Sequence, residues 1–221
     1  MNKQWSEINK KMQTELNREV TFEAGIKTLF ALRNILFQQL IDLKEHLSPS
    51  GYSKMPFKNA KGYHNKSIAY SIWHIFRIED IVANTIINNN QQVFFKENYK
   101  EKINSPIITT GNELVKDEIE EFSQRLNIDE LYNYTENVKN TTEKLLSQLT
   151  YKDLKKKSTL QIKEKLINSN CVSNDENAVW LIDYWCNKDI KGLIKTPFSR
   201  HWIMHIEAIM RIKSKLENNT N

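Results

Sequence analysis

Apolar residues recur at spacings of three and four along most of this 221-residue chain, the period of helices that bury one face. Trp5, Ile8, Met12 and Leu16 predict a short accessory helix within residues 1–20, a lid over the remaining helices. Thr21 is placed to cap a first long helix carrying Phe22, Ile26, Leu29, Leu40 and Leu47, which Pro49 and Gly51 stop. After a loop with Pro56 and Gly62, Ile68, Ile72, Ile75, Ile78, Val82 and Ile86 mark a second long helix, ending in Asn88, Asn89 and Asn90. Residues 91–110 read as loop and 113–126 as a shorter amphipathic helix. A third long helix starts at Asp129 and runs through Val138 to Leu149. Residues 152–168 are charged and sparsely apolar, a further candidate helix. Trp180, Leu181, Tyr184 and Trp185 suggest an aromatic helix ending near Gly192. Pro197 opens the last long helix, through Trp202, Ile206, Ile209, Ile212 and Leu216. Residues 217–221 should be loose.

The expected fold class is therefore all-α: a four-helix bundle with additional helices in its long connections, forming one domain over residues 1–221, with 152–192 as an insertion before the last helix. Composition agrees, since 27% charged and 39% hydrophobic residues with 5 Gly and 4 Pro suit long helices joined by polar loops. Lys and Arg outnumber Asp and Glu by 32 to 27, a formal +5 with pI near 9.0. That charge does not indicate nucleic-acid binding, because it is interspersed with acids and the densest run, Lys155, Lys156 and Lys157, lacks interleaved aromatics. Cys171 and Cys186 form neither a CxxC pair nor a zinc-finger spacing. No apolar run approaches the ~20 residues that cross a bilayer, and the N-terminus has no signal-like core. A soluble, cytoplasmic protein with reduced thiols is expected.

The candidate chemistry lies in three histidines. His201 and His205 stand four apart, about 40° apart on a helix that advances ~100° per residue, on the stripe continued by Ala208, Ile209 and Ile212. His74 lies on the second helix with Tyr70, Ser71 and Ile78 within roughly a quarter-turn. All three face inward if the apolar faces do. They could then give one divalent ion three neutral nitrogens and leave a position open for water or substrate. By itself the HxxxH pair is a weak signal, since buried histidines are often satisfied core residues. Trp202 follows His201, so there is no HExxH protease motif.

Two segments carry a family resemblance: Ser71-Ile72-Trp73-His74-Ile75-Phe76-Arg77-Ile78-Glu79-Asp80 and Thr196-Pro197-Phe198-Ser199-Arg200-His201-Trp202-Ile203-Met204-His205. Thr110-Gly111-Asn112-Glu113, followed by Glu118-Ile119-Glu120-Glu121-Phe122, adds to it. The chain resembles the DinB/YfiT-like superfamily of four-helix-bundle proteins from about Thr21 to Leu216. The resemblance implies a metal site with one histidine from the second helix and an HxxxH pair from the last, here His74, His201 and His205. It also implies zinc, nickel or another divalent ion, homodimers, and transfer of low-molecular-weight thiols such as bacillithiol or mycothiol to a small-molecule substrate. A metal-dependent hydrolase and a non-catalytic metal- or ligand-binding stress protein are the alternatives.

Other residues have a bland reading beside a functional one. Tyr70 and Arg77, one turn on either side of His74, are candidate substrate-pocket residues, although pairing with Asp80 is the readier fate for Arg77. Arg200 is expected to clamp the helix start to Glu79 or Asp80. Trp180, Trp185 and Trp202 could line a pocket but are more simply core. His46 sits at a helix end and His64 in a loop, neither placed for metal.

Overall fold

The computed structural model describes residues 2–218 and is all-α, with an isolated antiparallel bridge between Lys157 and Asp189 and no strand among the described residues. No helix among these residues is long and apolar enough to cross a membrane. Helix α1 (Lys3–Glu15) is followed by α2 (Phe22–His46) and by α3 (Ile68–Asp80), which continues as a π-helical segment over Ile81–Ile87. Short helices α4 (Val93–Lys96) and α5 (Tyr99–Lys102) interrupt the stretch expected to be loop. Next come α6 (Asp117–Arg125), α7 (Ile128–Ser147), α8 (Leu160–Asn168), α9 (Trp180–Cys186), α10 (Ile190–Lys195) and α11 (His201–Asn218), with π-helical Thr196–Arg200 joining the last two.

The long helices α2, α7, α3 and α11 meet in a ring, α2 on α7, α7 on α3, α3 on α11 and α11 on α2. Every residue of α3 is buried, as befits a helix covered on all sides by its neighbours and by the additional segments. Its start is set by Ser67, whose side chain accepts from the Tyr70 amide (3.1 Å) and meets Ser123 Oγ on α6 at 2.6 Å. Asn127 caps α7 in the same way, accepting from Glu130 N at 3.2 Å.

Several boundaries differ from the sequence pattern for local reasons. Thr21 precedes α2, but its hydroxyl donates to the Glu15 carbonyl (2.6 Å) and does not cap the helix. The segment 152–168 becomes helical only at Leu160, where Thr159 caps it, after a 3₁₀ turn over Tyr151–Lys155 closed by a Thr150–Asp153 capping box. The aromatic helix ends at Cys186, because Asp189 caps a new start by accepting from Gly192 N at 2.7 Å. Helix α1 lies along α2 and is not a lid: Trp5, Met12 and Leu16 are buried. Residues 217 and 218 complete α11, while 219–221, also expected to be loose, fall outside the described residues.

Two apolar clusters make up the core. One gathers Leu36, Leu40, Trp73, Phe76, Val138, Trp202 and Ile206 from the ring of long helices. The other joins Met12 of α1 and Leu16 just after it, Leu29, Ile78 and Ile81 to Leu166, Trp185, Leu193 and Phe198. Segment 152–192 thus packs into a second cluster that it shares with α1, α2, α3 and Phe198.

Candidate metal centre

His74 is buried on α3, His205 is buried on α11, and His201 at the first turn of α11 is partly covered. Each can offer one ring nitrogen such that the three atoms lie within 4.8 Å of one another. Ring centroids are 5.1 Å apart for His74 and His201, 4.8 Å for His74 and His205, and 4.4 Å for the HxxxH pair. The last value follows from i, i+4 spacing on one helix, whereas the first two exist only because α3 packs against α11.

The register of α11 is prepared upstream. Pro197 has no N–H to continue the ladder of α10, the turn opens to π-helix, and Ser199 Oγ donates to the Ile194 carbonyl at 3.0 Å. The orientation of His74 is set by the Thr110 carbonyl, 2.8 Å from its Nδ1. A carbonyl only accepts, so Nδ1 carries the proton and Nε2 keeps its lone pair for an ion, the arrangement of outer-shell support that metal-binding histidines use. Gly111 makes this turn possible. Its φ of +77° disfavours side chains, and a Cβ there would come within 3.0 Å of the Tyr70 ring.

Burial lowers the pKa of all three rings. His74 falls to about 4, mainly by desolvation, with the Thr110 hydrogen bond opposing and the Lys66 charge adding to it. His201 and His205 are also driven well below the ordinary histidine value, by desolvation first and then by neighbouring rings. The imidazoles are therefore neutral near pH 7, the state in which they donate to metals. Nδ1 of His201 and of His205 is buried without a hydrogen-bond partner. Unpaired buried polar atoms are costly in an ordinary core, and three converging nitrogens without a carboxylate are donors suited to zinc, nickel or a similar divalent ion. The residues present fit such an ion.

The three histidines line a cleft of about 360 Å³ whose walls also include Tyr63, Ile78, Trp180, Tyr184, Trp185, Arg200 and Met204. A second opening, lined by Gly62, Lys66, Tyr70 and Asn112, reaches His74 and His205 from another direction. Tyr70 stacks on His74 (centroids 5.6 Å, planes 10° apart) and donates to the Gly111 carbonyl at 2.8 Å, so it is both wall and brace.

Arg77 pairs with Asp80, the readier of its two expected fates, whereas Arg200 takes up another position than expected. Arg77 is fully buried outside the cleft lining, bonded to Gln92 (2.9 Å), the Ile108 carbonyl (2.6 Å), Tyr134 (3.2 Å) and Asp80 (3.4 Å). It anchors the loop that delivers Thr110 to His74. Arg200 does not clamp an acid of α3, since Glu79 is taken by Arg33 and Trp202, and Asp80 by Asn84, Tyr134 and the amides of Val93 and Phe94. It is exposed at the cleft wall. Of the tryptophans, Trp180 and Trp185 line the cleft while Trp202 is core. His46 bonds the Asp42 carbonyl (2.7 Å) and His64 packs on Phe57, both apart from the centre. Met204 was legible as the i+3 neighbour of His201, but Tyr63 and Lys66 come from a loop with no periodic signal.

Fold and site together define an all-α protein with a buried three-histidine centre open to a cleft. Neither a family model nor a curated protein matches the chain.

Proposed function

We propose that this chain is a metal-dependent enzyme of the four-helix-bundle type, with His74, His201 and His205 holding one divalent ion, and that it transfers a low-molecular-weight thiol to a small-molecule electrophile. The observation that carries the reading is the convergence of three imidazoles, two of them buried and one partly covered, with the Nδ1 of His201 and His205 unpartnered and His74 turned by a backbone carbonyl. A divalent ion held there supplies Lewis acidity, lowering the pKa of a thiol or water that takes its open position. The three histidines are uncharged, so they bind without neutralising the ion. Tyr70 and Thr110 hold His74 in register, and the aromatic walls limit water at the approach.

The thiol version is favoured over hydrolysis by the composition of the cleft. No carboxylate appears among its described lining residues, so there is no acidic side chain poised as general base for water, whereas a thiol with its ordinary pKa near ~8.5 requires far less assistance. The sequence resemblance points the same way. The same absence also suits a protein that binds metal without turnover.

Elemental analysis of protein purified without a metal-affinity tag tests the reading. About one divalent ion per chain is expected, lost in His205→Ala with helical circular dichroism preserved, together with ion-dependent thiol transfer that His74→Ala abolishes. Full metal content with no turnover across thiol-transfer and hydrolase panels would leave the binding-protein reading in its place.

A further inference from the structure

The aromatic part of the cleft lining is more exposed than packing requires. Trp180 is 50% exposed and Tyr184 39%, while Trp185 beneath them is 1% exposed. The Trp180 indole is held by donation from Nε1 to the Asn177 carbonyl at 3.0 Å, and it meets Tyr184 edge to face with centroids 5.5 Å apart. These rings are therefore fixed in place, leaving flat surface to the cleft. Leu181, Ile78, Pro197 and Met204 continue the apolar lining. The one full positive charge among the described residues of this lining is Arg200, exposed and without an ion pair among the described residues. The described lining holds no carboxylate, so none there competes for the guanidinium or favours a cationic guest.

We infer that this cleft binds a flat, aromatic-bodied organic anion, with its ring system against Trp180, Tyr184 and Trp185 and its negative group at Arg200, on the way to the histidine centre. A volume of about 360 Å³ suits a ligand of two fused or linked rings. The binding is a property of the cleft, while its meaning as the substrate class rests on the metal-centre reading above.

Two fluorescent probes separate these contributions: 1-anilinonaphthalene-8-sulfonate and N-phenyl-1-naphthylamine, which share their rings and differ by the sulfonate. With the full-length protein, one sulfonated probe per chain is expected, bound about fivefold to tenfold more tightly than the neutral one, the range of a charge-assisted contact in a partly exposed site. Arg200→Gln should remove that difference and leave the neutral probe unchanged. Trp180→Ala should weaken both about tenfold, through lost stacking and apolar area. Both side chains are substantially exposed, so these variants should fold, and circular dichroism checks that they do. Equal affinity for the two probes, a difference that survives Arg200→Gln, or no effect of Trp180→Ala would overturn the inference. So would loss of only the sulfonated probe in His205→Ala, which would put the anion on the metal. Metal content measured on the same samples keeps the two readings apart: probe binding with this pattern in protein that takes up no divalent ion even when zinc or nickel is added would refute the metal centre and sustain the cleft.

Discussion

At the scale of single residues, the centre depends on small groups that aim larger ones. The Thr110 carbonyl fixes the proton of His74 on Nδ1, and Gly111 permits the turn that brings this carbonyl and its own to His74 and Tyr70. Burial of His74 then has a consequence for metal-free protein. An unfolded chain takes up a proton near pH ~6.5, while folded His74 resists protonation down to about 4. Between these values the unfolded state binds more protons, so stability is complete above pH 6.5 and declines as pH falls towards 4. The loss attributable to His74 should be of the order of 3 kcal/mol. Urea unfolding of chelator-treated protein across this window should show it, and His74→Phe should lessen the slope by that one group's share, His201 and His205 keeping theirs. A wild-type profile no steeper than that of the variant would contradict a buried neutral His74.

At the scale of elements, a network around one buried ion pair joins all four long helices, α2, α3, α7 and α11. Arg33 of α2 grips Glu79 of α3 through two bonds of 2.9 and 2.8 Å, and the Trp202 indole of α11 donates to the same carboxylate at 2.8 Å. The guanidinium lies over the Trp202 ring, 4.3 Å from its centroid, and bonds Glu143 of α7 at 3.0 Å. Burial works against the Arg33 charge, but Glu79 and then Glu143 outweigh it and hold its pKa above the ordinary value. Trp202 immediately follows His201, so this network also helps set the metal ligands on α11 against His74 on α3. Arg33→Ala strands a buried carboxylate and should cost about 3–5 kcal/mol in denaturant unfolding. A loss below ~1 kcal/mol, the range of surface pairs, would show that the network is not what joins these helices.

At the scale of the whole molecule, two apolar clusters carry the fold, one from the ring of long helices and one from α1, the π-turn after α3, and α8–α10, and the second walls the cleft through Ile78, Leu181 and Trp185. Most of the stability resides in these clusters, so the ion should add to a chain that is already folded. Thermal scans should show the melting temperature rising with free divalent ion, by the equivalent of ~2.7 kcal/mol at a hundredfold excess over Kd. Chelation should reverse the rise with helical content retained. Wholesale unfolding by chelator would make the ion structural and argue against an open coordination position.

The sequence by itself determined the helices and the inward faces of the histidine pair, because apolar periodicity and i, i+4 spacing are local properties of one helix. It pointed to His74 by the same rule. The tertiary structure decided what locality cannot express. Arg77 pairs with Asp80 as its i, i+3 spacing suggested, but that the pair is buried, away from the pocket, was decided by Gln92, Ile108 and Tyr134, residues beyond its own helix. Arg200, expected to clamp Glu79 or Asp80, was left at the cleft because both acids found other donors. Trp180 and Tyr184 face the cleft because the segment before α11 packs into a second core, an outcome set by burial against α1, α2 and α3 and invisible in the pattern of α9 alone.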